Sequence, residues 1–233
     1  LPGIFLSVNS NKVYPFFVKI DLRYSIGKSE SEFKEPDLPA FKTDWNNQNF
    51  KLNFSANYQL SMDEKFMIIP TVGYSYKNNY SENDQTTELG YKDKYTYSMH
   101  HIPVGLNFEY LINTDITLNL RFIADIMLNG NDKIWSNKES SSYNDTTLFS
   151  SPEINLTLGN KIGYEINFDI SYKVNNNISL FFNPFIENIS FSKSNTVEYE
   201  YFYGSKGTKT SVSEPDGNYV NMGFIFGLSY NFN

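Results

Sequence analysis

Apolar and polar residues alternate with a period of two over most of the chain. The last stretch, Asn218 to Asn233, shows the pattern at its longest: Val220, Met222, Phe224, Phe226, Leu228, Tyr230 and Phe232 share one face, and Asn221, Gly223, Gly227, Ser229 and Asn231 take the other. A strand in an ordinary globular domain runs about 5 to 6 residues, whereas a tilted bilayer-crossing strand needs about 9 to 11. The terminal stretch is long enough to cross. The same alternation predicts seven more strands, over Val13 to Gly27, Phe50 to Leu60, Phe66 to Tyr76, Ile102 to Tyr110, Ile116 to Leu128, Ile162 to Tyr172, and from Ile178 onward. In the seventh the phase blurs near Asn188, which reads as a β-bulge, and Pro70 and Pro184 within strands suggest bulges or local edges.

The connections fall into two kinds. Polar stretches over 28–47, 78–94, 130–158 and 193–217 alternate with short turns at 61–64, 113–115 and 175–177. Short turns on one side and long loops on the other are the mark of a transmembrane barrel. The predicted fold is therefore all-β, an integral-membrane antiparallel up-and-down β-barrel of eight strands over 13–233, preceded by a periplasmic lead-in over 1–12, where no period is sustained. An even strand number puts both termini on the short-turn, periplasmic side. Aromatics gather at strand ends, with Tyr14, Tyr58, Phe66, Tyr110, Tyr172 and Tyr230 near the turns, and Tyr24, Phe50, Tyr76 and Tyr164 near the loops, as two interfacial belts require. A soluble antiparallel barrel such as a lipocalin would turn the same apolar face inward. Long strands, paired aromatic belts and one-sided loops favour the inside-out arrangement.

Composition sharpens this reading. Aromatic residues make up 17% of the chain, while mean hydropathy is negative, a combination suited to a barrel with aromatic girdles. No apolar run is long enough for a transmembrane helix. The absence of cysteine excludes disulfides and thiolate chemistry, and a net charge of −7 argues against binding nucleic acid. The chain opens on Leu1 without a basic segment followed by an apolar one, so a signal peptide is expected to have been removed or not included.

The aromatic-rich terminal strand resembles the C-terminal strand of bacterial outer-membrane barrels, which the barrel assembly machinery reads. As a whole the alternation and loop pattern resemble the eight-stranded family of outer-membrane protein A and X and the opacity proteins. This resemblance implies a Gram-negative outer-membrane location, contact with a lipopolysaccharide-type outer leaflet, and four surface loops for adhesion to an extracellular protein ligand, with neither enzyme activity nor cofactor. Tyr95 to Leu128 and Asn167 to Ser190 are similar to omptin proteases, which activate water with paired aspartates and an Asp/His pair. The loop after the fifth predicted strand, Asn129 to Lys133, holds no histidine, and Asp-x-Asp occurs nowhere, so the resemblance implies a relative without that chemistry. Lipid-modifying enzymes and narrow channels are the competing classes.

Chemistry-bearing residues lie on the non-apolar face. Lys19, Asp21, Arg23, Lys51, Glu109, Arg121, Asp125, Lys161, Glu165 and Asp169 are expected to line the lumen as a salt-bridge network, because buried charges persist only when paired. Arg121 is expected at its centre, level with Asn167 and flanked by Glu165 and Asp169. His101 should point inward and His100 outward beside Ser98; neither forms a recognisable catalytic or metal set. The acidic loops lack the spacing of an EF-type calcium site. Tyr80, Trp135, Tyr143, Tyr199, Tyr201 and Tyr203 in the loops are the expected partner contacts, since exposed aromatics carry much interface energy.

Overall fold

A computed structural model describes residues 3–9, 15–33, 41–83, 91–142, 145–150, 153–203 and 206–231. The strands are β1 (Gly3–Asn9), β2 (Phe16–Phe33), β3 (Phe41–Tyr58), β4 (Leu60–Ser61), β5 (Phe66–Asn83), β6 (Tyr91–Leu111), β7 (Ile116–Ser142), β8 (Asp145–Ser150), β9 (Ile154–Leu158), β10 (Ile162–Lys173), β11 (Ile178–Phe191), β12 (Val197–Tyr203), β13 (Lys206–Val212) and β14 (Gly217–Asn231). Pairing runs β10-β11-β14-β1-β2-β3-β5-β6-β7 and returns to β10, which closes a barrel of nine strands. The eight predicted strands are all present. The ninth is β1, so the expected lead-in over 1–12 is corrected: Gly3–Asn9 pairs antiparallel with β2 and parallel with β14. Ile4, Leu6 and Val8 face outward in the usual alternation, but Phe5 between them faces inward and disguises it.

The apolar face is the outer one. Phe224 and Phe226 are 63% and 68% exposed, whereas Lys77 and Glu187 are each 2% exposed. Such an inversion is stable only in lipid, where the outer residues are matched by hydrocarbon and the strand backbones bond each other around a closed ring. The three short turns share one construction. Asp63 accepts from the backbone N–H groups of Lys65 and Phe66 at 2.7 Å each, Asn113 from Asp115 and Ile116 at 2.9 and 2.8 Å, and Asn175 from Asn177 and Ile178 at 2.9 Å each. Each Asx side chain thus satisfies the amides that the reversal leaves without a ladder partner.

On the loop side the strands outrun the membrane. β7 has 27 residues, far more than the 9 to 11 or so a span needs, and β9 continues the register of β10 along it. The phase slip lies here. Leu128 is the extra residue of a bulge opposite His100 and His101, and beyond it the even-numbered residues of β7 turn inward. β11 keeps one register with β14 from Ile178 to Phe191, so the bulge expected near Asn188 is absent; Pro184 is paired on that side, but the ladder between β10 and β11 skips Asn183 and Pro184, a local edge as expected. Pro70 lies where β3 and β4 are interrupted around Gln59. Parts of the predicted loops also form strand: β8, β12 and β13 build a further sheet edge, with β12 and β13 pairing as a hairpin.

Candidate functional site

At mid-height the lumen is crossed by six charges. Arg23, Lys51 and Lys77 stand side by side on β2, β3 and β5 in direct cross-strand register, and Glu165 and Glu187 are direct partners on β10 and β11. Like charges in adjacent register repel, so each wall is stabilised only by the other across the lumen. Glu187 takes Arg23 Nη2 at 2.5 Å, Lys77 Nζ at 2.7 Å and Lys51 Nζ at 3.1 Å. Lys77 also reaches Asp125 at 2.8 Å, Lys51 bonds Glu165, and Arg23 lies 3.6 Å from Glu165 with its guanidinium over the Phe185 ring. Asp125, Glu165 and Glu187 present carboxylate oxygens within 4.8 Å of one another, a spacing that would suit a metal. Three fixed cations already balance these three carboxylates, and a metal would have to displace them.

The network centres on Glu187 and Lys77, two residues absent from the expected set, and not on Arg121. Arg121 does lie in register with Asn167, but the ion pair it forms is to Asp21, at 3.8 Å across the lumen. Asp21 pairs with Lys19 at 3.1 Å, and Asp169 accepts from Asn183. These groups, with Glu109, line a cavity of about 760 Å³ on the turn side of the six-charge layer. Lys161 is outside the lumen, partly exposed and 3.8 Å from Asp216.

Above the charges the lumen is filled by apolar side chains. Tyr97, Met99, Met127, Leu158, Ile189 and Phe191 form a buried cluster with Tyr95 and Tyr219 packed against it. The rings of Tyr97, Phe191 and Tyr219 meet pairwise at 5.1 to 5.8 Å. The Tyr97 hydroxyl donates to Glu214 at 3.2 Å, and Ser194 and Glu214 exchange two bonds, which ties the segment after β13 to this cap. Asp132, beyond the bulge, is fully buried here with neither carboxylate oxygen hydrogen-bonded. Burial, and then the Glu214 carboxylate, push its pKa up to about 7; burial also raises that of Glu214.

The histidines are engaged separately. His100 faces outward, where Nδ1 meets the Tyr74 hydroxyl and the ring lies against Tyr76; Ser98 accepts from Asn78 at 2.8 Å. His101 is buried in the wall, with Nδ1 lacking a partner. Among the expected loop contacts, Tyr80 donates to Glu82 at 2.8 Å, Trp135 has Lys94 Nζ 5.3 Å from its ring centroid, and Tyr199 is half-buried on β12. Tyr143 lies outside the described residues, as do the side chains of Tyr201 and Tyr203.

A nine-stranded wall, lipid-facing aromatics and a sealed polar interior define an outer-membrane β-barrel. Residues 10–183 match the autotransporter beta-domain family, and the chain belongs to it. That family and the barrel fold place the protein in the bacterial outer membrane. The fold is similar to that of the crystal structure of the outer membrane protease OmpT from Escherichia coli, with a TM-score of 0.56 and 13% identity over 96% of this chain and 81% of that one. No curated protein matches the sequence.

Proposed function

We propose that the protein is a non-enzymatic surface-display barrel whose loop-side β-structure binds an extracellular protein. The observation that carries this reading is the double seal of the lumen, six charges under an aromatic cap, beneath strands that continue well past the bilayer. Sealing the interior leaves the projecting surface as the part free to act. β7 alone extends from the turn at Asn113 to Ser142, and β12 and β13 supply a hairpin beside it. Tyr80, Trp135 and Tyr199, with Tyr143, Tyr201 and Tyr203 on the same loops, are the contact residues of the proposal. β14 ends on the turn side, taken as periplasmic, where the barrel assembly machinery receives it, whereas β1 runs toward that side from Gly3, level with Ser25 on β2, so the two periplasmic termini expected of an even strand number do not follow for nine strands. The outer belt meets lipopolysaccharide-type lipid.

Against hydrolysis stands the sealing of Asp132: a carboxylate with no exposed atom cannot activate water for an external substrate. His100 and Ser98 are each held by a different neighbour, which removes the simplest nucleophile pair. The test is to shorten 198–216 and measure cell adhesion and folding together. Folding should persist, because surface insertions contribute little closure entropy, and adhesion should fall. Full adhesion by a shortened barrel, or cleavage of a peptide library by the intact one, would overturn the reading.

A further inference from the structure

The turn-side cavity is not lined as a water-filled vestibule would be. Its wall on β1, β2 and β11 carries three inward phenylalanines, Phe5, Phe17 and Phe181, the aromatic members of a lining that also holds Ile69, Pro103, Ile123 and Ile225 among many polar groups. Phe5 and Phe181 meet edge to face with centroids 5.1 Å apart. Phe181 lies over Gly227, where an added Cβ would come within 2.3 Å of the ring, so the missing side chain makes room for it. The wall formed by β6 and β7 carries amides and a hydroxyl, Asn107, Thr117 and Asn119. Asn53, Asn107, Asn167 and Asn183, all on the lining, each keep a polar atom with no hydrogen-bond partner among the described residues.

We propose that this cavity binds a short neutral oligosaccharide. A pyranose presents an apolar C–H face and a rim of hydroxyls that both donate and accept. Aromatic rings, negative on their faces, stack on the first, and amide side chains, each with two donors and an acceptor, pair with the second. The charges on the lining already have partners within the protein, Lys19 and Arg121 with Asp21 and Asp169 with Asn183, so a neutral guest leaves these contacts in place. At about 760 Å³ the cavity has the size of a small-molecule site. The six-charge layer forms its floor and keeps it blind on the loop side, so a bound sugar enters and leaves by the turn side alone. This assignment is independent of the adhesion reading.

Saturation-transfer NMR on the intact chain tests it, in an amine-oxide detergent because glycoside detergents would compete. Maltotriose and N-acetylated chitotriose are the probes. Saturation should transfer to at least one of them, and Phe181→Ala and Asn119→Leu should each weaken binding at least about tenfold, while the outward Leu120→Ala leaves it unchanged. Heat-dependent gel mobility identifies the variants that fold, and Phe5→Ala replaces any that does not. Absence of transfer to both sugars, or binding unchanged in every folded inward variant, would overturn the assignment and leave the cavity filled by water alone.

Discussion

Two buried residues carry the largest consequences. Lys77 is the shared partner of Glu187 and Asp125, and at 2% exposure it has no recourse to water. Lys77→Ala strands Asp125 and removes one of the three cations on Glu187, and should destabilise the barrel by about 3 to 5 kcal/mol, read from urea unfolding in detergent. Arg121→Ala should cost less, since Arg121 is partly exposed to the vestibule and its pair with Asp21 is long; an equal loss would return Arg121 to the centre of the network. Asp132 governs pH response. Its folded pKa of about 7 lies above the ordinary value of 3.8, so the folded state prefers the proton. Stability is full below the unfolded value, falls as pH rises from about 4 to about 7, and is level above that. With each tenfold change in proton affinity worth about 1.4 kcal/mol, the difference is at most about 4 kcal/mol. The barrel should therefore melt higher at pH 5 than at pH 8, and Asp132→Asn should flatten that slope; an unchanged slope would assign it to other groups. Parity in the sequence would have reached Lys77, which is odd-numbered like its inward neighbours, had the predicted strand not stopped at Tyr76. Glu187 was hidden by Ile189 and Phe191, inward apolar residues of the cap that look like a change of phase.

Among the elements, the turns were the most legible and the loop-side strands the least. A short polar turn with Asp or Asn in it, between two alternating runs, leaves little choice, and the structure uses Asp63, Asn113 and Asn175 in the same way. Replacing any one by Ala releases two amides and should lower stability by about 1 kcal/mol, measurable as a shift in the urea midpoint; no shift would mean that water serves those amides equally well. The strands beyond the bilayer lose the signal on which their prediction rests, because neither face there meets hydrocarbon and the alternation of apolar and polar residues fades. β1 escaped for the reason already visible in Phe5, and that same residue gives the turn-side cavity its aromatic wall. The slip at Leu128 was masked by the continuous apolar run Ile126-Met127-Leu128, in which any phase fits.

In the whole molecule, every neighbouring pair around the barrel is close along the chain except one. β1 meets β14 over four described pairs, Leu6 with Leu228 to Asn9 with Asn231, whereas β11 meets β14 over fourteen. That short parallel contact holds the ring shut. Ser7 and Ser229 are cross-strand partners within it, and an oxidised Ser7→Cys/Ser229→Cys pair should raise the unfolding temperature by constraining the longest loop in the chain. A disulfide that forms without effect would show that the ring opens elsewhere.

The parallel contact also orders events in time. Hairpins between sequence neighbours can form one after another as the chain emerges, but joining the two ends requires all of them, and contacts between distant residues form slowly. Until that step the growing sheet has two free edges, which lipid cannot satisfy. Closure is thus a single late event that reports whether both β1 and β14 have arrived intact. A protein lacking Gly3–Asn9 should insert more slowly and stay sensitive to protease for longer than the full chain.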